Sequence, residues 1–316
     1  MAHYQQRKGG KGHGDNLEEP LVSVEALEQI MNELWASDDN KCYHGQDFEV
    51  CLQGRASTRT ERDASRHSLF NFFDKDKIFS METYSAFKDL LNNYTLECGE
   101  AEKVTPEEVK ENRQFIEAVM KTDVMQKARA WLISKDVLPD HYFTPDSVLE
   151  EKGIALDFNF MKMLYKLWFS LYRRTRGDRD LDSSSFEHVF VGEAKQGKIV
   201  GLHNWLQFYL EEQAGRIDYH GYFGFKTDCS DESFRLLTLQ FEMVGDEDED
   251  EDVGGIKKMS SIFLGTSPEF ELAAYTILYL TKMFGKHEIK IGEYEVMTEC
   301  FPFGNFGIGT AYIGCR

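Results

Sequence analysis

The feature of this sequence that most restricts its fold is the order in which two kinds of apolar pattern occur along the chain. Before about residue 178, apolar residues recur at helical spacing, as in the segment that begins at Ser23 and runs to Leu34. Beyond that point, short β-branched and aromatic runs are separated by turn residues. Because helical patterns come first and strand patterns later, the sequence predicts an α+β fold. We expect a mostly helical N-terminal half, followed by a half rich in antiparallel sheet with two packed helices.

Local signals place the individual elements. Ser23 and Thr105 are N-cap candidates, and Thr105 is followed by Pro106 and an acidic first turn. Helices are predicted to begin at these two caps and to cover residues 84–91, 125–133, 160–172, 204–212 and 267–284. Strands are predicted at residues 188–191, 198–201, 219–225, 236–243, 262–264, 290–298 and 308–313.

The 316 residues suffice for one large domain or two closely packed ones. We expect a disordered tail over residues 1–20, a helical lobe over 21–178 and a β-rich lobe over 179–316. A disordered acidic loop is expected at 245–255, because Asp246–Asp252 are seven consecutive acids flanked by glycines. The simplest interpretation is a solvated hairpin tip kept open by like-charge repulsion. A calcium site or an interaction segment is the alternative.

Composition excludes several classes of protein. The formal net charge of −19 argues against a general nucleic-acid binder, although an enzyme with a locally positive cleft remains compatible with it. No apolar run approaches the roughly 18 residues that span a bilayer, and the N-terminus has no apolar signal segment. Six cysteines without a CxxC pair favour reduced thiols and a location in the cytoplasm or nucleus, with a Cys300–Cys315 bridge as the alternative.

Two histidines are the candidate reactive groups. His188 lies in a strand-like run next to Glu187, with Glu193 shortly after. His203 lies two residues after Gly201 and directly before Asn204. Imidazole gains or loses a proton near neutral pH, so two of them facing one cavity can act as a general base and a general acid. From the residue types alone, a structural role for the two histidines is as compatible with the sequence as a catalytic one. Nothing nearby in the sequence supplies the third charge that phosphoryl chemistry needs.

Longer motifs narrow the choice. They are Ser185-Phe186-Glu187-His188-Val189-Phe190-Val191-Gly192-Glu193, Gly201-Leu202-His203-Asn204-Trp205 with Phe208-Tyr209-Leu210, Phe263-Leu264-Gly265-Thr266-Ser267-Pro268-Glu269-Phe270-Glu271, and Gly309-Thr310-Ala311-Tyr312. Together they resemble the EndoU family, the poly(U)-preferring endoribonucleases of animals, which are distantly similar to the coronaviral uridylate-specific endoribonuclease. The resemblance begins at the Asn32-Glu33-Leu34-Trp35 helix and reaches the C-terminus.

The resemblance implies a reaction and its catalytic residues. His203 would be the base that takes the 2′-hydroxyl proton, and His188 the acid that protonates the departing 5′-oxygen. Lys257 would stabilise the charge on phosphorus, with its neighbour Lys258 as the competitor for that role. The products would be a 2′,3′-cyclic phosphate and a 5′-hydroxyl, and DNA would resist because it lacks the 2′-hydroxyl.

Substrate contacts are also implied. The glutamates flanking the first histidine are Glu187 and Glu193, and the backbone N–H of Gly201 would face a phosphate oxygen. The residues expected to contact the uridine and its phosphate are Ser261, Thr310 and Tyr312, the tyrosine by stacking. The substrate would be single-stranded, uridine-containing RNA, the protein is expected to be a monomer, and no membrane contact is expected.

The resemblance further implies activation by a divalent metal ion, manganese or calcium, whose ligands the sequence does not identify. Two other functions stay open. The first is an RNA-binding member of the family that has lost catalysis, against which the intact His188, His203 and Lys257 argue. The second is a calcium-responsive interaction protein that uses the acidic run Asp246–Asp252.

Overall fold

The structure, a computed structural model, describes residues 18–59, 62–138, 158–174, 181–223, 235–244, 254–305 and 307–315. Residues 1–17 of the predicted tail, the acidic run Asp246–Asp252 and Cys229 lie outside the described residues. Within them, helices predominate before residue 170 and antiparallel strands after residue 190. The predicted α+β class is therefore confirmed.

The helices of the N-terminal half begin where the sequence places their caps. The Ser23 hydroxyl accepts a hydrogen bond from the Ala26 N–H, and Thr105 forms a reciprocal capping box with Glu108. The helices are α1 (Val24–Ser37), α2 (Lys75–Ile78), α3 (Glu82–Leu90), α4 (Pro106–Met120), α5 (Asp123–Ser134) and α6 (Phe158–Phe169). Helix α6 ends three residues before the predicted boundary at 172.

A two-stranded hairpin in this half was not predicted, because its runs are short and far apart. Strand β1 (Phe48–Val50) pairs antiparallel with β2 (Phe70–Phe73). Phe73 stacks on Tyr209 with ring centroids 3.7 Å apart, so the hairpin packs against the helix that follows the second histidine.

The C-terminal half is built around two three-stranded antiparallel sheets, β5-β6-β7 and β10-β9-β8, and a small hairpin, β3-β4. Its elements are β3 (Glu193–Ala194), β4 (Ile199–Val200), α7 (Trp205–Gln213), β5 (Ile217–Tyr222), β6 (Leu236–Val244), β7 (Gly254–Phe263), α8 (Pro268–Leu280), β8 (Gly285–Ile291), β9 (Tyr294–Phe303) and β10 (Gly307–Cys315). Helix α8 is buried over nearly its whole length and contacts α1, α3 and α5 as well as β9 and β10. It therefore joins the two halves.

One predicted strand is wrong, and it is the segment that carries the first histidine. Residues Glu187–Val191 form a turn of π-helix, closed by a hydrogen bond from the Gly192 N–H to the Glu187 carbonyl. Aromatic and β-branched residues favour a strand locally, but here Phe186 and Phe190 enter the core, with ring centroids 5.0 Å apart. Tertiary packing therefore overrides the local preference.

Two other strand predictions differ from the structure. The run predicted as one strand at 290–298 is two strands, β8 and β9, joined by a tight turn in which Gly292 has a φ of 60°. The run predicted at 262–264 is only the end of β7. That strand begins at Gly254, within the range predicted as the acidic loop. Helix α8 also ends at Leu280, four residues before the predicted boundary, because β8 begins at Gly285.

The cysteines in the described chain (Cys42, Cys51, Cys98, Cys300 and Cys315) are free thiols, as the composition predicted. In the described residues, no helix has the length and apolar character needed to cross a membrane.

Candidate active site

An open cleft of about 390 Å³ brings most of the predicted site residues together. Its walls come from the π-helical turn, the loop between β4 and α7, and strands β7 and β10. Among the residues that line it are Arg174, His188, Gly201, His203, Lys257 and Thr310. Five of these were predicted, and Arg174 was not.

His188 is buried on the π-helical turn with both ring nitrogens engaged. Its Nδ1 lies 2.5 Å from Oε2 of Glu193, and its Nε2 lies 3.0 Å from Nη2 of Arg174. A guanidinium can only donate, so Nε2 accepts and the ring proton resides on Nδ1, where it is donated to the carboxylate. The neutral imidazole is thereby fixed in one tautomer.

Arg174 organises this side of the cleft. Its Nε lies 3.0 Å from the Glu193 carboxylate, and Nη2 also donates to the carbonyl of Gly309 at 3.2 Å. The sequence signal that pointed to it is the cationic run from Arg173 to Arg179, which stands out in a chain of net charge −19. The run lies at the boundary between the two predicted halves, near residue 178.

Burial and charge set the protonation of this group. Burial, and then the positive charge of Arg174, lower the pKa of His188 to about 4, although Glu193 opposes the shift. Burial raises the pKa of Glu193, but the hydrogen bond and charge of His188 and the charge of Arg174 outweigh it and hold that pKa below its usual range. At neutral pH the free site therefore carries a carboxylate and a neutral imidazole.

His203 sits in a different environment. Its Nδ1 lies 3.0 Å from the carbonyl oxygen of Ser261, so that nitrogen carries the proton and donates it. The imidazole ring stacks on Tyr312 with centroids 4.3 Å apart and an interplanar angle of 14°. Burial and the charge of Lys257 lower the pKa of His203 well below its ordinary value. Nε2 is left as an unprotonated nitrogen for a substrate.

The loop that carries His203 depends on two residues in the left-handed region. Gly201 has a φ of 68° and Leu202 a φ of 54°. A Cβ on Gly201 would lie 1.8 Å from the His188 carbonyl oxygen, so no side chain fits there. The Leu202 N–H donates to that same carbonyl at 3.3 Å. The two histidine segments are thus joined directly through their backbones.

Lys257 brings a third functional group to the cleft. It lies on β7 opposite Phe241, and its Nζ donates to the carbonyl of Gly201 at 2.8 Å. Burial lowers its pKa to about 8. Lys258 is exposed, and its carbonyl accepts from Gln240. Of the two neighbouring lysines, the structure places Lys257 in the cleft.

The predicted base-binding residues adjoin His203. The Ser261 hydroxyl lies 3.2 Å from that of Thr238, and the Tyr312 hydroxyl donates to Glu299 at 2.5 Å. A Cβ added to Gly314 would lie 2.8 Å from the Ser261 Oγ, so a glycine is needed beside that hydroxyl. Ser261 and Tyr312 thus lie on the His203 side of the cleft.

Glu187 is a predicted site residue that does not line the cleft. Its carboxylate accepts a hydrogen bond from the Ser184 N–H at 3.1 Å, within the protein interior. Burial, and the negative charge of Glu193, raise the pKa of Glu187 well above its usual value. Its position is that of a residue that supports the π-helical turn.

Comparison with known proteins decides the family. The model of the family described as Endoribonuclease XendoU matches residues 26–313. This chain belongs to the XendoU endoribonuclease family. The poly(U)-specific endoribonuclease of Xenopus tropicalis is 39% identical over 298 residues, which cover 90% of this chain and 92% of that protein. Uridylate-specific endoribonuclease B of Danio rerio is 38% identical over 292 residues, covering 90% of this chain and 94% of its own.

A solved structure described as "The structure of XendoU: a splicing independent snoRNA processing endoribonuclease" has the same fold. It aligns with a TM-score of 0.73 and 38% identity, over 92% of this chain and 97% of that one. The resemblance of the sequence to the EndoU family is confirmed, and the chain is an endoribonuclease.

The part of the chain that the structure describes shows no evident ligand set for a divalent ion. Within the described ranges, no group of three or more His, Cys, Asp or Glu side chains is arranged to hold a metal ion. Near the cleft, one buried oxygen of Glu193 has no hydrogen-bond partner among these residues, but its other oxygen is bound by His188 and Arg174. Because Arg174 is cationic and His188 donates a hydrogen bond to that carboxylate, the carboxylate is poorly suited to bind a metal cation.

Proposed function

We propose that this endoribonuclease cleaves single-stranded RNA at uridines by attack of the 2′-hydroxyl, giving a 2′,3′-cyclic phosphate and a 5′-hydroxyl. The observation that carries the proposal is that two histidines and one lysine line a single cleft. Each imidazole has its Nδ1 bonded to a fixed protein acceptor. That arrangement directs both Nε2 atoms toward a substrate: Nε2 of His203 is open, and Nε2 of His188 becomes available when Arg174 turns to the bound phosphate.

His203 is the general base in this mechanism. Its partner is a neutral carbonyl, and burial and Lys257 keep the imidazole unprotonated. A neutral imidazole with a free Nε2 takes the 2′-hydroxyl proton as that oxygen attacks phosphorus. The ring orientation is held by the Ser261 carbonyl and by stacking on Tyr312.

His188 is the general acid. Its Nδ1 bonds a carboxylate, and a carboxylate stabilises an imidazolium more strongly than a carbonyl does. In the free site Arg174 occupies Nε2 and lowers the pKa. An anionic phosphodiester in the cleft attracts the guanidinium and raises the pKa of His188, so the proton needed by the leaving 5′-oxygen is acquired when substrate is present.

Lys257 stabilises the additional negative charge that develops on the phosphoryl oxygens. Its ammonium group is buried and fixed by the Gly201 carbonyl, so little reorganisation is needed during the reaction. Because burial lowers its pKa to about 8, the cationic form still predominates at neutral pH. Thr310 also lines the cleft and can offer its hydroxyl to a phosphate oxygen.

Uridine preference is proposed for the pocket formed by Ser261 and Tyr312. A hydroxyl can read the carbonyl or imino edge of uracil, and a tyrosine ring offers a stacking face. One face of the Tyr312 ring is covered by His203, so a base would stack on the other. The names of the relatives, poly(U)-specific and uridylate-specific endoribonuclease, support this preference.

We propose further that the enzyme acts as a monomer and leaves DNA intact, because DNA has no 2′-hydroxyl to attack. Manganese or calcium would support activity by offsetting the repulsion between RNA and a chain of net charge −19. No step of the reaction described above uses the ion.

The test is an end-labelled RNA that contains one uridine, incubated with and without manganese or calcium. Cleavage at that uridine with a cyclic-phosphate end is expected, and neither His188→Ala nor Lys257→Ala should produce it. A 2′-deoxyuridine at the same position should block the reaction. Binding without cleavage under all conditions would contradict the proposal and favour a non-catalytic RNA-binding protein.

A further inference from the structure

The hairpin β3-β4 presents two lysines beside the cleft that the reaction itself does not use. Lys195 and Lys198 exchange both backbone hydrogen bonds, at 2.8 and 3.2 Å, and close a two-residue turn. The turn residues Gln196 and Gly197 have φ values of 53° and 67°, as a tight hairpin turn requires. Both lysines are at least partly exposed.

The register of this hairpin puts the two ammonium groups on one face. Residues that exchange both backbone hydrogen bonds lie directly opposite each other, and their side chains point to the same side. Like charges placed in this way repel and destabilise the pair. Within the described part of the chain, neither lysine is in an ion pair that would offset the repulsion. An anion bound between the two ammonium groups would offset this repulsion.

The same face of the hairpin leads into the cleft. Glu193 and Val200 are cross-strand partners, each two residues from a lysine, so all four side chains project from one side. Glu193 contacts His188, and Val200 lines the cleft. The other face carries Ala194 and Ile199, which are buried in the core. The lysines therefore continue the cleft wall about 7 Å beyond Glu193 and Val200 along their strands.

Contact with β7 fixes the position of the turn. A Cβ on Gly255 would lie 2.2 Å from the Gly197 carbonyl oxygen and 2.9 Å from the Lys198 nitrogen. Gly255 lies two residues before Lys257 on the same strand. The tip of the hairpin is thus held against the strand that supplies the lysine of the cleft.

From these observations we infer that Lys195 and Lys198 together bind a phosphate of the RNA backbone next to the phosphate that is cleaved. The inference rests on the proposed function, because it assigns this site to the flanking part of the same substrate. The contact reads charge and not base identity, since an ammonium group bonds phosphate oxygens regardless of sequence. It also gives a strongly acidic protein a local means of holding an extended RNA.

The test compares the wild-type chain with Lys195→Ala/Lys198→Ala on two substrates. One is a uridine-containing dinucleotide, which has a single phosphate, and the other is a single-uridine RNA extended on both sides by adenosines. The ratio of kcat/KM on the long RNA to that on the dinucleotide is expected to fall about tenfold, through KM. The slope of log(1/KM) against log[salt] should fall in magnitude by about 0.7, because one phosphate of a single strand is no longer neutralised.

Two matched variants complete the design. Lys195→Arg/Lys198→Arg keeps both charges and should retain the wild-type ratio. Lys103→Ala/Lys290→Ala removes two exposed lysines, one shortly before α4 and one on β8. This variant should also retain the wild-type ratio. The second variant controls for the overall change in net charge. A melting temperature no lower than that of the wild type will show that Lys195→Ala/Lys198→Ala is folded.

An unchanged ratio and salt slope in Lys195→Ala/Lys198→Ala would overturn the inference while leaving the proposed function intact. Absence of cleavage by the wild type would instead refute the proposed function. In that event, the affinity for the long RNA with 2′-deoxyuridine at its single site still tests the lysines. An affinity about tenfold weaker in the double alanine variant supports the phosphate site, and an equal affinity refutes it.

Discussion

The surroundings of His188 and His203 differ in one respect that separates their proposed roles. Both rings are buried, and both have Nδ1 bonded to a protein oxygen. For His188 that oxygen belongs to the carboxylate of Glu193, whereas for His203 it belongs to the carbonyl of Ser261. A carboxylate compensates the charge of an imidazolium and a carbonyl does so only weakly. The proposed acid and the proposed base therefore differ in the partner of Nδ1 and not in burial.

The cations near the two rings differ in a related way. Arg174 bonds Nε2 of His188 directly, whereas Lys257 acts on His203 through its charge and is itself bonded to Gly201. An incoming phosphate can draw the guanidinium away from His188 and so release Nε2. In the proposed mechanism the pair His188–Arg174 therefore responds to substrate, whereas His203 stays in one protonation state.

The largest effects are expected from removing the two imidazoles or the lysine that line the cleft. His188→Ala, His203→Ala and Lys257→Ala should each lower kcat/KM by at least about 10³-fold, because each removes a proton-transfer group or the charge stabiliser. Initial rates on a single-uridine RNA measure this. Lys258→Ala is the matched control, since Lys258 is exposed, and it should retain activity. Equal losses in the two lysine variants would contradict the placement of Lys257.

Glu193→Gln makes the surroundings of His188 resemble those of His203. The amide oxygen can still accept the Nδ1 proton, but the negative charge is lost, so the imidazolium is destabilised. We expect a loss of about 10²-fold in kcat. The alkaline limb of the pH profile should also move to lower pH, because the pKa of the acid falls when the charge that raises it is removed.

Glu187→Gln is the comparison for that variant. Its carboxylate faces the interior and already has a raised pKa, so a neutral amide there should cost less activity and leave the pH profile in place. Equal shifts in the two glutamine variants would show that the partner of Nδ1 does not set the role of His188.

Arg174→Gln should shift the pH profile in the opposite direction. The guanidinium charge lowers the pKa of His188, so its removal raises that pKa and keeps the acid protonated to higher pH. The alkaline limb of kcat/KM is expected to move up by about one pH unit. Arg174→Lys retains a positive charge and should move it less. If the alkaline limb does not move in either variant, Arg174 does not set the pKa of His188.

The smallest effect concerns the ring that supports His203. Tyr312→Phe keeps the stacked ring and loses the hydrogen bond to Glu299, so KM should rise by about threefold with kcat little changed. Tyr312→Leu removes the stacking face as well and should raise KM further for uridine substrates. If the two variants behave alike, stacking on Tyr312 contributes nothing to substrate binding.

Much of the fold could be predicted because its signals are local. The starts of α1 and α4 follow from Ser23 and Thr105, whose side chains bond N–H groups only three residues away. The π-helical turn at Glu187–Val191 could not be predicted in this way. Its composition suits a strand, and it is the packing of Phe186 and Phe190 against other parts of the chain that decides its conformation.

Part of the candidate site could likewise be predicted from the sequence, and part of it could not. Motif resemblance alone identified His188, His203 and Lys257, and the structure brings all three to one cleft. It missed Arg174, whose role depends on lying beside an imidazole 14 residues further along the chain. The resemblance also implied a substrate contact for Glu187, which does not line the cleft. On a π-helical turn, Glu187 and His188 point in different directions.

By itself, the sequence determined the α+β order of elements and the helix starts, since these depend on local spacing and residue type. It also identified the candidate reactive side chains, through the resemblance of its longer motifs to the EndoU family. Only the tertiary structure decided which imidazole bonds a carboxylate, which lysine enters the cleft and where the hairpin lysines lie. Hydrogen bonds such as the one from His203 to Ser261 join residues 58 positions apart. Protonation depends on burial and on charges brought together by such contacts, and no local pattern contains them.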